Sequence, residues 1–64
     1  MNISLLQAMR LADSAILFND PTKLQRAFNA LEYYLCKVKD STSLEIIRNY
    51  TQTLEIKLMG LENG

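Results

Sequence analysis

The stretch that decides the fold is LFNDPTKL, residues 17–24. Asp20 is a good N-terminal cap, because its carboxylate accepts hydrogen bonds from the free N–H groups of a helix's first turn. Pro21 suits the first helical position, where its missing N–H costs no hydrogen bond. With Asn19, these residues make a connection so short that the flanking segments are predicted to form an antiparallel helical hairpin.

The segment before this turn has the pattern of an amphipathic helix over residues 4–18. Ser4 and Gln7 stand at the spacing of a capping box. Apolar side chains follow at steps of three and four residues. They are Leu5, Ala8, Met9, Ala12, Ala15 and Ile16. The three alanines predict that another helix approaches closely.

The segment after the turn predicts a second helix over residues 21–38. Its apolar stripe consists of Leu24, Ala27, Phe28, Leu31, Leu35 and Val38.

Aromatic residues beside a basic groove can stack nucleic-acid bases. Here Glu32 and Asp40 offset the nearby cations Arg26, Lys37 and Lys39, so Phe28 and Tyr34 are expected in or beside the core.

A third helix is predicted over residues 43–59. Thr42 and Glu45 have capping-box spacing, and Gly60 is placed to end the helix in a left-handed conformation. Its stripe consists of Leu44, Ile47, Thr51, Leu54, Leu58 and Leu61. One long helix over residues 21–59 remains an alternative. The predicted fold is therefore all-α, a single domain over residues 1–64 built as a small bundle of three short helices, and oligomerisation is left open.

The composition argues against nucleic-acid binding, metal binding and catalysis. Seven basic and seven acidic residues cancel in a chain of 64, whereas a nucleic-acid surface needs a basic surplus. Cys36 is the single cysteine and there is no histidine, so neither an internal disulfide nor a closed zinc site is expected. No serine has a credible base, and the glycines, Gly60 and Gly64, make no phosphate loop. We expect no enzyme, cofactor, metal or small-molecule substrate.

The sequence shows no targeting signal. The apolar N-terminal stretch has no basic region before it, and Arg10 and Asp13 interrupt it. No run reaches the roughly 18 apolar residues that span a bilayer. These features predict a cytoplasmic protein with no membrane span.

A protein partner is the predicted function class. A chain this small, with no disulfide or metal, is marginally stable alone. Several apolar residues also lie off the main stripes, among them Leu6, Leu17, Ile46 and Ile56. Tyr33 is expected to face outward, as tyrosines at protein contacts often do. Either the bundle packs unusually deeply or another chain, a different protein or a second copy, covers this surface, and the small size of the chain favours the second.

The residues around the turn resemble a known family. LFNDPTKL at 17–24, Ala27, Ala30-Leu31, Tyr34, Ser43-Leu44 and Ile47 are similar to needle-forming subunits of bacterial type III secretion systems. Those subunits are short helical hairpins that meet at an Asn/Asp-Pro turn. The small co-chaperones that keep needle subunits monomeric in the cytoplasm resemble such hairpins too.

The resemblance implies either a polymerising subunit, exported without a cleavable signal, or a co-chaperone of one. It assigns the turn to Asn19, Asp20 and Pro21. It implies that Leu24, Ala27, Leu31 and Tyr34 pack between helices or between subunits. The predicted partner interface consists of these four residues and the outward-facing Tyr33 and Ile56. The alternative function is a small dimeric regulator that binds and masks another protein.

Overall fold

A computed structural model describes residues 3–63, with side chains for residues 3–61. This part of the chain forms three helices and no strand, which confirms the all-α prediction. The helices are α1 (Leu5–Phe18), α2 (Pro21–Lys37) and α3 (Ser41–Asn63). Residues 1, 2 and 64 of the predicted domain lie outside the described residues.

The capping box at the start of α1 is confirmed. The Ser4 hydroxyl accepts a hydrogen bond from the Gln7 N–H at 3.1 Å, and the Gln7 side chain accepts one from the Ser4 N–H at 3.0 Å. Each side chain satisfies a backbone donor that the first turn leaves free. Ser4 is thus the cap of α1, and the helix itself begins one residue later than the sequence predicted.

Two residues connect α1 to α2. Asn19 ends α1 in the left-handed conformation, with φ of 53°. The Asp20 carboxylate accepts hydrogen bonds from the N–H groups of Thr22 at 3.0 Å and Lys23 at 3.4 Å, and Pro21 opens the helix. Asparagine tolerates this backbone conformation better than most residues. The chain therefore reverses direction without leaving a helix end uncapped.

The hairpin is antiparallel. The Tyr34 hydroxyl, near the end of α2, donates a hydrogen bond to the carbonyl of Ile3, just before α1 begins. This bond joins residues 31 positions apart in sequence. It places the start of α1 beside the last turns of α2.

The break before α3 differs from the sequence prediction in its cap. The Asp40 carboxylate accepts a hydrogen bond from the Ser43 N–H at 2.9 Å, so α3 begins at Ser41. The predicted capping box of Thr42 and Glu45 is wrong, because both residues lie inside the helix. Three residues outside any helix, 38–40, separate α2 from α3, and the alternative of one helix over 21–59 is also wrong.

The far end of α3 also differs from the prediction. Gly60 lies within the helix and has no positive φ, so it does not form the predicted left-handed cap. A glycine ends a helix only where the chain leaves it, and here the helical hydrogen bonding continues. At 1.5 Å per residue, α3 is about 34 Å long and α2 about 25 Å. The molecule measures 36 × 20 × 17 Å, so α3 spans its long axis.

The core lies between all three helices. Its buried side chains are Ala8, Ala12, Ala15, Leu24, Ala27, Leu31, Ile47 and Leu54. Helix α2 packs extensively against both neighbours, whereas α1 and α3 touch each other much less. Thr51 is the buried polar residue, and its hydroxyl donates to the Arg48 carbonyl at 2.9 Å. Small residues on α1 and large ones on α2 and α3 thus interlock.

Candidate protein-binding surface

The predicted interface residues divide into two groups. Leu24, Ala27 and Leu31 are fully buried, so they pack between the helices and offer no surface to a partner. Tyr34 is half-buried and occupied by its bond to Ile3. Tyr33 and Ile56 remain on the surface. The apolar stripe that the resemblance assigned to contacts between helices or between subunits is therefore buried in this chain's own core.

A different set of apolar side chains is exposed. Leu17 is 77% exposed and Phe18 is 70% exposed, although both are large. Within residues 3–61, the exposed large apolar residues are Leu6, Leu17, Phe18, Tyr33, Ile46, Ile56, Met59 and Leu61. Scattered exposed apolar residues are normal, but eight in so short a chain equal the number in its core.

Some of these side chains flank the junction of α1 and α3. The Tyr50 hydroxyl donates a hydrogen bond to the Asp13 carboxylate at 2.9 Å, and this bond raises the pKa of Tyr50 above its usual value of 10. Leu6 and Leu17 are eleven residues apart, three helical turns, so they project to the same side as Asp13 between them. The loosest helix pair of the bundle is thus also bordered by exposed leucines.

One depression of the surface lies between α1 and α2. This α1/α2 groove has a volume of about 570 Å³. It is lined by Ile3, Leu11, Arg26, Asn29, Ala30, Tyr33 and Tyr34. Most of its surface is apolar, and polar groups are supplied by one guanidinium, one amide and the tyrosines. Volumes of this size are typical of binding clefts.

Three cations lie on the face of α2 that contributes to the α1/α2 groove, and one of them, Arg26, lines the groove itself. Lys23, Arg26, Ala30, Tyr33 and Lys37 succeed one another at steps of three and four residues, so they share one face of α2. The Lys23 ammonium lies 6.0 Å from the centre of the Phe18 ring, and the Lys37 ammonium 5.5 Å from that of Tyr33. We call Lys23, Arg26 and Lys37 the basic stripe.

No carboxylate of the described residues lines this groove. Glu32 instead lines a second depression, between α2 and α3, of about 330 Å³. That depression mixes Glu32 and Glu55 with Arg48. The expectation that Glu32 and Asp40 offset the nearby cations is therefore wrong for the groove, since Glu32 lies on another face and Asp40 caps α3.

In the part of the chain that the structure describes, no three metal-ligating side chains gather where they would hold an ion. Cys36 is a free, exposed thiol. No helix within residues 3–63 has the length and apolar character to cross a membrane.

No family model, curated protein or solved structure matches this chain. The surface of the described residues is therefore the structural evidence that bears on its function. The α1/α2 groove is the feature that sequence reasoning missed. The signal was present, because the spacing of Lys23, Arg26 and Lys37 already put three cations on one helical face without an acid. A count of charges along the sequence does not show this group of cations, whereas a count by helical face does.

Proposed function

We propose that this chain is a non-catalytic interaction protein of a bacterial type III secretion apparatus, acting as a co-chaperone that holds a helical partner. The observation that supports an interaction protein is the exposure of as many large apolar residues as the core contains apolar residues. The secretion role rests on the resemblance of residues 17–47 to needle subunits. Burying such surface is favourable at about 25 cal/mol per Å². A partner that covers it gains stability together with this chain.

Of the two roles that the needle resemblance implies, the closed bundle favours the co-chaperone. A polymerising hairpin needs a free apolar face for each neighbouring subunit. In this chain Leu24, Ala27 and Leu31, the face that such a hairpin would use, are already buried in the core that all three helices share. The remaining apolar surface is spread around the bundle, which suits contact with a second, different chain.

The test is co-expression with a needle subunit of a type III secretion system, followed by purification and light scattering. We expect a discrete complex of fixed mass. Leu17→Asp combined with Ile56→Asp should abolish it, because each change places a charge where an exposed apolar side chain would be desolvated. Gln25→Glu, which adds a charge at an exposed polar position of α2, should leave the complex intact.

Three outcomes would contradict the proposal. A mass that keeps growing with concentration would indicate a polymerising subunit. A closed dimer that ignores the needle subunit would support the dimeric regulator instead. A monomer that stays unchanged by the needle subunit would exclude the secretion role.

A further inference from the structure

We propose that the α1/α2 groove binds an acidic amphipathic helix of the partner protein. The inference rests on the proposed function, because it names the part of the partner that this chain holds. It depends on the shape of the groove, on the charges beside it and on the spacing of those charges.

The floor of the groove fits apolar side chains. Leu11 and Ala30 contribute aliphatic surface from α1 and α2, and the rings of Tyr33 and Tyr34 meet edge to face at 5.4 Å between centroids. Ala30 is small, which leaves room between the two helices. An amphipathic helix lying in such a groove inserts side chains from successive turns.

The charges beside the groove select an acidic occupant. Arg26 lines it, Lys37 lies over the ring of the lining residue Tyr33, and Lys23 shares their face of α2. None of the carboxylates of the described residues lines it. Three acids have partners of their own: Asp13 accepts from Tyr50, and Asp20 and Asp40 cap helices. Arg26 lies at the groove itself, where its guanidinium can hold a carboxylate with two parallel hydrogen bonds.

The stripe also sets the spacing of the acids. Lys23 and Lys37 are fourteen residues apart, which corresponds to about 21 Å along α2. A helix lying alongside α2 has the same rise per residue. Its carboxylates should therefore be separated by three and by eleven residues, matching the intervals from Arg26 to Lys23 and to Lys37. The occupant is about four turns long.

The same cations are a poorer fit to nucleic acid. The net charge of the chain is zero, and phosphate binding draws its affinity from a basic surplus. The apolar floor of the groove, between the cations and α1, is not complementary to a charged phosphate backbone. Binding of single-stranded DNA is accordingly an outcome that the experiment must exclude.

The experiment measures fluorescence anisotropy with the full-length protein and a labelled synthetic helix. The acidic probe has a leucine face and three glutamates at the spacings given above, and the matched probe has lysines in their place. We expect the acidic probe to bind at least about tenfold more tightly, with affinity falling as salt is added. Equal affinities, or tighter binding of a single-stranded DNA oligonucleotide, would overturn the proposal.

Variants locate the contact. Arg26→Gln and Lys37→Gln should each weaken the acidic probe about fivefold or more. Lys39→Gln removes the same charge from the connection between α2 and α3, outside the groove, and should change little. Far-UV circular dichroism melts show whether each variant folds like the parent. If Arg26→Gln and Lys37→Gln fold and bind as the parent does, the groove is not the site.

The needle-subunit complex separates this inference from the proposed function. If the complex forms and withstands both groove variants, the function stands and the groove assignment fails. If the acidic probe binds as expected but no needle subunit does, the groove stands and the secretion role fails.

Discussion

Leu31 has no exposed surface, although it lies on the helix that carries the basic stripe on its outer face. Its side chain and that of Leu24 supply the bulk that α2 contributes to the core. Truncating a large buried side chain removes its transfer free energy and leaves a cavity. The stability of this small bundle therefore depends on very few side chains.

Leu31→Ala should lower the free energy of unfolding by about 2–5 kcal/mol, as buried large-to-small changes do. Urea denaturation followed by circular dichroism measures the loss. Leu17→Ala is the matched control, since Leu17 is mostly exposed and its truncation should cost little. A loss below about 1 kcal/mol for Leu31→Ala would contradict its place in the core.

Tyr50 makes the one described side-chain hydrogen bond between α1 and α3. The pKa of Tyr50 is raised, first by its hydrogen bond to Asp13 and then by partial burial, so the folded protein holds the phenolic proton more tightly than the unfolded chain. The bond's contribution to stability is fully present below the usual pKa of 10 and is lost as the pH rises through the raised value.

Tyr50→Phe should therefore cost about 0.5 kcal/mol at neutral pH, the low end for a hydrogen bond because the pair faces solvent. The difference from the parent should shrink as the pH rises above the raised pKa of Tyr50. Thermal melts across the alkaline range measure it. Tyr33→Phe serves as control, and a pH-independent difference for Tyr50→Phe would refute the assignment.

At the scale of elements, the three helices were predictable because their apolar residues recur at steps of three and four. The caps at Ser4 and Asp20 were predictable for a local reason, since each acceptor stands beside the N–H groups that it satisfies. The start of α3 was not, because Asp40 and Thr42 are both good acceptors two residues apart and the sequence does not rank them. Whether Gly60 caps α3 depends on whether the chain leaves the helix at that residue. The residue types around Gly60 do not decide this.

The start of α3 can be tested by comparing two alanine variants. Asp40→Ala should lower the melting temperature at neutral pH, whereas Thr42→Ala should change it little. Hydrogen bonds from the backbone and side chain of Ser43 hold the pKa of Asp40 below its usual 3.8. The cap therefore contributes fully above that value and is lost as the pH falls through the lowered one.

Melts between neutral and strongly acidic pH measure this effect. The gap between the parent and Asp40→Ala should close at the acid end. A larger loss for Thr42→Ala than for Asp40→Ala would restore the capping box that the sequence suggested.

Gly60→Ala tests the far end of α3. Nothing lies within 4 Å of the position where a Cβ would be added, and the backbone there is helical. Alanine should stabilise the protein by up to about 1 kcal/mol, because glycine loses more backbone entropy in a helix. The shift in the urea midpoint measures it. A destabilised variant would show that Gly60 adopts a conformation that only glycine tolerates.

At the scale of the whole molecule, α2 joins the other two helices, since α1 and α3 touch each other far less. Ile47 and Leu54 of α3 are two of the four largest fully buried side chains. A hairpin of α1 and α2 alone exposes the apolar face that these residues cover. The bundle is therefore one cooperative unit rather than a hairpin with an added helix.

A chain ended after Asp40 should lack a cooperative thermal transition in circular dichroism, because half of the largest buried side chains are gone. A chain ended after Met59 is the control and should melt cooperatively, since it keeps the whole core. A truncated hairpin that melts like the parent would show that α3 is dispensable for folding.

The candidate site was only partly predictable at this scale. Exposure of Ile56 and Tyr33 followed from helical periodicity alone. The α1/α2 groove required knowing which faces of α1 and α2 adjoin, because Leu11 and Arg26 are fifteen residues apart in sequence. The covering of Leu24, Ala27 and Leu31 required knowing that α3 returns along α2.

The alanines of α1 have a consequence for how recognition by this protein could diverge. Ala8, Ala12 and Ala15 are completely buried, so three methyl groups set how closely α1 approaches its neighbours. Packed helices in general have axes about 8–10 Å apart, depending on the side chains at the contact. Exchanging any of the three alanines for valine or leucine would push α1 away from its neighbours and widen the α1/α2 groove. Selection acting on these buried positions would change which ligands the α1/α2 groove binds, while every residue that contacts the ligand stayed the same.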